Sequence, residues 1–425
     1  MACFVNEISV IIFILLGVVS VVLCQWEIDR DDNIEPFSLL CRIYNVAKNP
    51  PINHVDLEEP HKIVEEITAL NASLVNDKRY NETEEMANGV EAKINSAATK
   101  ESVVAQLSIN QITQKAHTIL EEIKKMNAAE NIRKAKAEFA QVIFGDNGNE
   151  SDLCHATVKG VGDRATACGK PGEGTRGNSA GKNLVVDFFC LCSMRTESSE
   201  GAKQACGFFV GKIDKYYGWS EQDPWGSSTM WASIKGGCGK HMQQHPKSTA
   251  EARHILDQFL KHLKTGGVYR VIESNGKNVE GSDRKEGMLG IGVVKKNGGE
   301  KGPVCDGKNG KVGNNPSGVC VYYGKESELD NIPWLKPFQT ALASVDTVNN
   351  QTASIQRAVK KLQMLLHRAE EIYETAKVIT EIQKPVGLPA ALQNVSGNLT
   401  SYNTTRIRSY NPHPYLIPAW AVLLL

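Results

Sequence analysis

The feature that most constrains this chain is a long apolar repeat in its C-terminal third. Between Phe338 and Lys384 there is no proline and no glycine. Within that stretch apolar side chains recur at steps of four and three residues, at Ile355, Val359, Leu362, Leu366, Ala369 and Tyr373. This spacing places them on one stripe of an α-helix. We therefore predict a single helix over residues 334–383, on the order of 75 Å long at about 1.5 Å per residue.

A helix of that length cannot bury its apolar stripe alone, so it needs partners. The same period occurs from Ile63 to Leu74 and again from Ile112 to Met126, on either side of a polar stretch. We predict helices over about residues 55–80 and 101–144 that pack against the C-terminal helix. The predicted fold class is mainly α, an elongated, coiled-coil-like helical bundle.

The middle of the chain has a different composition, because 32 of the 36 glycines lie between Gly145 and Gly324. Such loop-rich sequence needs disulfides to hold a fixed shape, each contributing about 2–4 kcal/mol. We predict an inserted Cys/Gly-rich lobe or lobes over about residues 145–330, carrying short strands. Within it, the apolar run from Asn183 to Cys192 is interpreted as a buried strand and Ala250 to Lys264 as an amphipathic helix.

Both ends of the chain carry short apolar segments. Ile8 to Leu23 has the length of an export signal, which predicts cleavage after Cys24, with Ser20 as the alternative. Tyr415 to Leu425 is too short to span a bilayer and follows a polar spacer, the layout of a glycosylphosphatidylinositol (GPI) attachment signal; the alternative is a disordered apolar tail. The predicted attachment residue is Asn403, with Ser401 and Ser396 as alternatives.

These segments divide the chain into four expected parts. They are a signal peptide (1–24), a bundle domain (25–384), a glycosylated tether (385–403) and a removed attachment signal (404–425). Such a protein would lie on the extracellular face of the plasma membrane, bound to its outer leaflet by lipid.

Removal of residues 1–24 leaves nine of the eleven cysteines. The disulfide candidates are Cys41, Cys154, Cys168, Cys190, Cys192, Cys206, Cys238, Cys305 and Cys320. An odd number cannot pair completely, which indicates retention of Cys24 by cleavage after Ser20, a free thiol, or a bridge to another molecule.

Sequons for N-glycosylation are frequent. The candidates are Asn71, Asn81, Asn149, Asn350, Asn394 and Asn398. Asn403 also begins a sequon, but lipid attachment there would remove it. Pro316 disqualifies Asn315.

Patterns that suggest chemistry are few, and we predict no enzyme, no cofactor and no metal. His241 and His245 have the spacing of a zinc helix, but Met242 stands where a metalloprotease needs its glutamate. A secreted metallohydrolase therefore remains only an alternative interpretation. The charge balance of 48 basic and 48 acidic residues gives no bias toward nucleic acid.

Two further segments could bind a ligand. The tryptophans at 219, 225 and 231 could form a ligand platform or attach a loop to the bundle, and we favour attachment. The basic stretch from Lys295 to Asn315 is interrupted by Glu300 and Asp306, which favours a solvated loop.

The whole layout resembles the variant surface glycoproteins of African trypanosomes. Phe37-Ser-Leu-Leu-Cys41 followed by Arg-Ile-Tyr resembles the opening of their B-type N-terminal domain, and Cys190-Leu-Cys192 resembles their central cysteine cluster. The resemblance spans about residues 37–384. With no cysteine after the bundle, the chain is similar to a short form that lacks a separate Cys-rich C-terminal domain.

The resemblance implies a GPI-anchored homodimer that forms a dense, antigenically variable coat, meets host antibodies and serves immune evasion. The alternative is a GPI-anchored receptor on the same scaffold that binds a host serum protein.

Overall fold

The computed structural model contains a helical rod and a lobe rich in loops. It describes residues 27–87, 100–196, 201–212, 215, 217–241, 245–273, 278–296, 302–310 and 316–383. The α-helices in these ranges are α1 (Ile34–Lys48), α2 (Glu59–Ala87), α3 (Lys100–Lys125), α4 (Ala128–Phe144), α5 (Arg164–Cys168), α6 (Leu184–Cys192), α7 (Ser227–His241), α8 (Thr249–Thr265) and α9 (Leu335–Gln383). The strands are β1 (Gly169–Lys170), β2 (Thr175–Arg176), β3 (Gly218–Trp219), β4 (Pro224–Trp225), β5 (Gly267–Ile272), β6 (Val279–Lys285), β7 (Met288–Lys295) and β8 (Ser317–Tyr322). The mainly α, elongated bundle predicted from the sequence is confirmed.

The rod consists of α2, α3 and the C-terminal two thirds of α9. Their facing stripes form one apolar cluster, which includes Ile63, Ile67, Ile112, Ala116, Leu120, Ile355, Leu362 and Ala369. Leu362 is fully buried at its centre, and burying a leucine stabilises the fold by about 1.5–3 kcal/mol. Truncating it to alanine would cost about 2–5 kcal/mol, because the removed atoms lose their apolar burial and leave a cavity.

The segment from 101 to 144, which we expected to be one helix, consists of two. α3 ends at Lys125 and α4 begins at Ala128. Asn127 between them has a φ of 50°, in the left-handed region that asparagine tolerates better than most residues. The break lets α4 leave the rod and pack on the first turns of α9, where Phe139 and Phe338 have ring centroids 5.6 Å apart.

The lobe is built around α6. The prediction of a strand over residues 183–192 is wrong, because Leu184–Cys192 is a helix that begins at Asn183, whose side chain accepts a hydrogen bond from the Val186 amide at 2.9 Å. All nine residues of α6 are buried, so no polar face revealed its helical period. The sequence analysis also missed α1, which contributes the aromatic rings next to α6. By contrast, the predicted amphipathic helix at 250–264 corresponds to α8.

A four-stranded sheet in the order β6-β5-β7-β8 covers one side of the lobe. β5 and β7 are parallel, whereas the other two pairs are antiparallel. Gly267–Ile272 and Met288–Lys295 supply apolar side chains to a small separate cluster with Ile28 from the N-terminal segment. Arg270 forms a two-pronged ion pair with Asp32, at 2.7 and 2.8 Å, and so binds that segment to the sheet.

α9 connects the two regions and sets their orientation. Its first turns, with Leu335, Phe338 and Leu342, belong to the lobe core, and its later turns belong to the rod. α4 runs antiparallel to it, since Asn131 contacts Gln351 at 3.0 Å while Phe139 contacts Phe338. α3 ends next to the start of α4 and packs on the later turns of α9, so α3 is antiparallel to α9 as well. The lobe and the C-terminal end of α9 therefore lie at opposite ends, about 74 Å apart for 49 helical residues.

Candidate functional site: the disulfide-linked lobe

Four disulfides connect the elements of the lobe. Their pairs are Cys41–Cys238, Cys168–Cys190, Cys192–Cys206 and Cys305–Cys320. The first joins α1 to α7 across 197 residues of chain, so the loop that it closes contains α2, α3, α4 and the first half of the lobe. Cys190 and Cys192 bond to different partners, which attaches the end of α6 to two segments at once. Among the described residues, Cys154 is unpaired and exposed.

Aromatic rings fill the space between these helices. The Phe188 ring of α6 contacts Phe37 and Tyr44 of α1 and Trp231 of α7, with centroids 5.6, 6.3 and 6.0 Å away. The pairs with Phe37 and Tyr44 are edge-to-face, and such pairs contribute about 0.5–1.5 kcal/mol each beyond area burial. The interior is thus filled by packed aromatic side chains.

Arg164 is a charged group buried in the lobe, with 2% of its surface exposed. Its guanidinium donates hydrogen bonds of 2.7 Å to the carbonyls of Ser193 and Cys190, at the C-terminal end of α6. Burial lowers the pKa of Arg164 to about 9, an effect that nearby Asp306 opposes. A positive group at a helix C-terminus is electrostatically favourable, so this arginine stabilises the end of α6.

Asp187 is the second buried charged group, and it links α6 to the residue just before α9. Its carboxylate accepts hydrogen bonds from the Gly181 amide (2.8 Å), the Tyr323 hydroxyl (2.9 Å) and the Trp334 indole N–H (2.8 Å). Burial raises the pKa of this carboxyl to about 7, although the three donors oppose the shift. The sequence analysis missed this role, although one acidic residue within the apolar run 183–192 was a signal that could have revealed it.

Two clefts open on the surface of this region. One, of about 620 Å³, lies where α4, the 176–182 loop and the start of α9 meet, and includes Arg176, Lys182 and Asp146. The other, of about 380 Å³, lies between α1, α8 and the sheet. In that cleft, burial lowers the pKa of His262, which lies 3.9 Å from Glu35. Both clefts combine opposite charges.

His241 and His245, whose spacing resembles that of a zinc helix, do not lie on one helix. α7 ends at His241, and His245 lies beyond the end and is exposed. Within the described ranges, no group of three or more His, Cys, Asp or Glu side chains could hold a metal ion.

The three tryptophans do not form a platform. Trp219 and Trp231 are buried, whereas Trp225 is 63% exposed. Trp219 lies 5.6 Å from the Arg164 guanidinium and so fastens its hairpin to the lobe interior. The basic stretch 295–315 lies partly outside the described residues. Both chain ends, with Cys24 and Asn403, lie wholly outside them.

The sequons within the described residues have different environments. The Asn71 side chain is held between α2 and α3, donating to Asn110 and accepting from Gln106, both at 2.8 Å. Asn149 is exposed and begins a short turn, while Asn350 is exposed on α9. Asn81 lies in α2, but its side chain is not among those that the structure describes. Asn394 and Asn398 lie outside the described residues. Among the described helices, none is long and apolar enough to cross a membrane.

Comparison with known proteins identifies the family. A family model described as the trypanosomal VSG domain, where VSG denotes variant surface glycoprotein, matches residues 15–103 and 95–364. Variant surface glycoprotein YnAT 1.3 of Trypanosoma congolense is 25% identical over 251 residues, which cover 58% of this chain and 55% of that relative. The matched region thus spans about half the length of the relative. Since the family model covers most of residues 15–364, the chain belongs to the trypanosomal VSG domain family, whose members are surface coat glycoproteins.

Proposed function

We propose that this protein is a GPI-anchored coat glycoprotein whose rod holds the lobe away from the membrane. The observation that carries the proposal is the placement of the lobe and the C-terminal end of α9 at opposite ends of the molecule. A lipid attached after Gln383 would put the membrane below the rod. The lobe would then face outward, about 74 Å above the start of the tether.

The same arrangement supports a role in immune evasion. A closed aromatic core and four disulfides hold the lobe from within, so its surface residues can change without loss of the fold. Close packing of many copies would leave these outward residues as the surface that host antibodies meet. The proposed activity is therefore steric and antigenic, and involves no catalysis.

We also infer that two copies associate along the lower part of the rod. Near the start of α3, Val104 and Leu107 are 60% and 58% exposed, and near the end of α9, Ile382 is 76% exposed. These residues lie at the same end because the two helices are antiparallel. A second copy of the chain, as the family resemblance implies, is the occupant we propose for this surface.

We propose the domain division given above: signal peptide 1–24, rod and lobe 25–384, tether 385–403 and a removed signal 404–425, with lipid on Asn403. Two acyl chains would provide stable anchoring, because a single chain binds membranes only marginally.

The test is treatment of intact cells of the source organism with phosphatidylinositol-specific phospholipase C. Release of this chain as the dominant surface protein would support both the anchor and the coat role. Release in trace, with one host protein bound stoichiometrically to the purified ectodomain, would favour the receptor alternative. A chain ending at Asn403 is the matched control and should be secreted into the medium. If no release occurs, aqueous hydrogen fluoride, which cleaves the anchor phosphodiester even when the anchor is acylated, decides whether the anchor exists.

A further inference from the structure

We propose that the cleft between α4, the 176–182 loop and the start of α9 binds a small organic molecule with one carboxylate and an apolar body. We call it the α4–α9 cleft. The proposal is independent of the coat role, because it rests only on the residues around this cleft.

The α4–α9 cleft has the size and walls of a ligand site. Its volume of about 620 Å³ falls in the range of about 300–1,000 Å³ that is typical of small-molecule pockets. Pro333 and Pro337 line it, together with Ala180 and Trp334. The Trp334 indole N–H already donates to Asp187, so this side chain offers the cleft apolar surface and no hydrogen-bond donor.

Two cations of the cleft have no counter-ion. Within the part of the chain that the structure describes, neither Arg176 nor Lys182 forms an ion pair with a carboxylate. The Arg176 guanidinium donates to the carbonyls of Ala180 and Asn331, at 3.2 and 3.3 Å. The Lys182 ammonium donates to the Lys159 carbonyl at 3.1 Å. These neutral acceptors hold the two side chains in place without cancelling their charge.

The surroundings make an added negative charge favourable. Partial burial lowers the pKa of Lys182, because the ammonium loses part of its hydration. The charge of Arg176 opposes the raised pKa of the Asp187 carboxyl, but that carboxyl accepts its hydrogen bonds from other donors. A bound carboxylate would therefore gain charge-assisted hydrogen bonds, which are about twice as strong as neutral ones.

The cleft favours a ligand with a single negative charge. Asp146 is exposed at its edge and α4 ends nearby at Phe144, and both contribute negative potential. One carboxylate can pair with Arg176 and Lys182, whereas Asp146 would repel a second.

An inorganic anion such as phosphate would use only part of this site. Phosphate can pair with the same two cations, but it leaves the proline surface of the cleft in water. A carboxylate with an apolar body covers that surface as well, and burial of apolar area adds to the affinity.

The test is isothermal titration calorimetry of the full, disulfide-bonded chain with three probes: phenylacetate, phenylacetamide and inorganic phosphate. We expect one phenylacetate to bind per chain with a Kd of about 1 mM or lower. Phenylacetamide has nearly the same shape and no charge, so it should bind at least about tenfold more weakly. Phosphate should also bind at least about tenfold more weakly, because it gains nothing from the apolar walls.

Variants locate the site. Lys182→Gln and Arg176→Gln should each weaken phenylacetate binding by about tenfold or more. Lys134→Gln removes an exposed cation of α4 that does not line the cleft, and its affinity should equal that of the wild type. If Arg176→Gln fails to fold for lack of its two carbonyl contacts, Lys182→Gln decides, because the Lys182 ammonium contacts only an exposed carbonyl.

The opposite results overturn the proposal. Equal affinity for phenylacetate and phenylacetamide would show that the cations do not recognise the ligand. Phosphate binding as tightly as phenylacetate would show that the apolar walls play no part. Absence of saturable phenylacetate binding, or unchanged affinity in Lys182→Gln, would show that the α4–α9 cleft is not a carboxylate site.

Discussion

Replacement of Asp187 by asparagine tests the link between α6 and the start of α9 through the pH dependence of the free energy of unfolding. The folded carboxyl has a pKa raised by burial to about 7, against an ordinary value of 3.8. Between those values the folded state retains a proton that the unfolded state has lost. The stabilisation from this proton is fully present below pH 3.8 and is lost as the pH rises through 7.

The expected size follows from the two pKa values. Each unit of difference corresponds to about 1.4 kcal/mol, so the wild type should lose roughly 3 kcal/mol relative to Asp187→Asn between pH 5 and pH 8. Other titrating groups, including His262, are present in both proteins and cancel in the difference.

The assay is urea denaturation of both proteins at several pH values, followed by tryptophan fluorescence, with disulfides intact. Asp330→Asn, which changes an exposed carboxyl, is the matched control and should parallel the wild type. If the wild type and Asp187→Asn have parallel pH profiles, the buried carboxylate is not a proton-binding group and the argument from its burial is wrong.

Three further predictions concern the lobe and the rod. Arg164→Met should destabilise the protein by about 3 kcal/mol, because two buried carbonyls lose charged donors; a change within 0.5 kcal/mol in thermal unfolding would contradict this. Replacing Cys41 and Cys238 together by serine should lower the free energy of unfolding by about 5 kcal/mol, because the two cysteines are 197 residues apart. Calorimetry should show a lower Tm, and an unchanged Tm would refute the estimate. Leu107→Glu should convert a dimer to a monomer in analytical ultracentrifugation, while Lys134→Glu, exposed on α4 away from this surface, should not; equal masses for the two variants would exclude this surface.

The rod was predictable because its information is local and repetitive. The apolar residues from Ile355 to Tyr373 recur every three or four positions, which is sufficient to indicate a helix. α9 runs from Leu335 to Gln383, close to the predicted 334–383. The break at Asn127 was not predictable in the same way. The apolar period continues through it, and only the left-handed backbone of that residue separates α3 from α4.

The lobe was less predictable, since its order depends on contacts distant in sequence. Leu184–Cys192 is apolar on every side, so strand and helix were equally compatible with its pattern. The roles of Asp187 and Arg164 depend on residues up to 147 positions away, such as Trp334. The disulfide partners likewise could not be deduced, because spacing alone permits many pairings.

The continuity of α9 has a mechanical consequence. At the level where the rod meets the lobe, the chain turns between α1 and α2 and is broken between α3 and α4, while α9 passes through without interruption. A sideways force on the lobe is therefore carried along the rod mainly by one helix, which is held at its upper end by the hydrogen bond from Trp334 to Asp187. Lobe and rod would therefore tilt together, and closely packed copies of the protein would contact one another as rigid bodies.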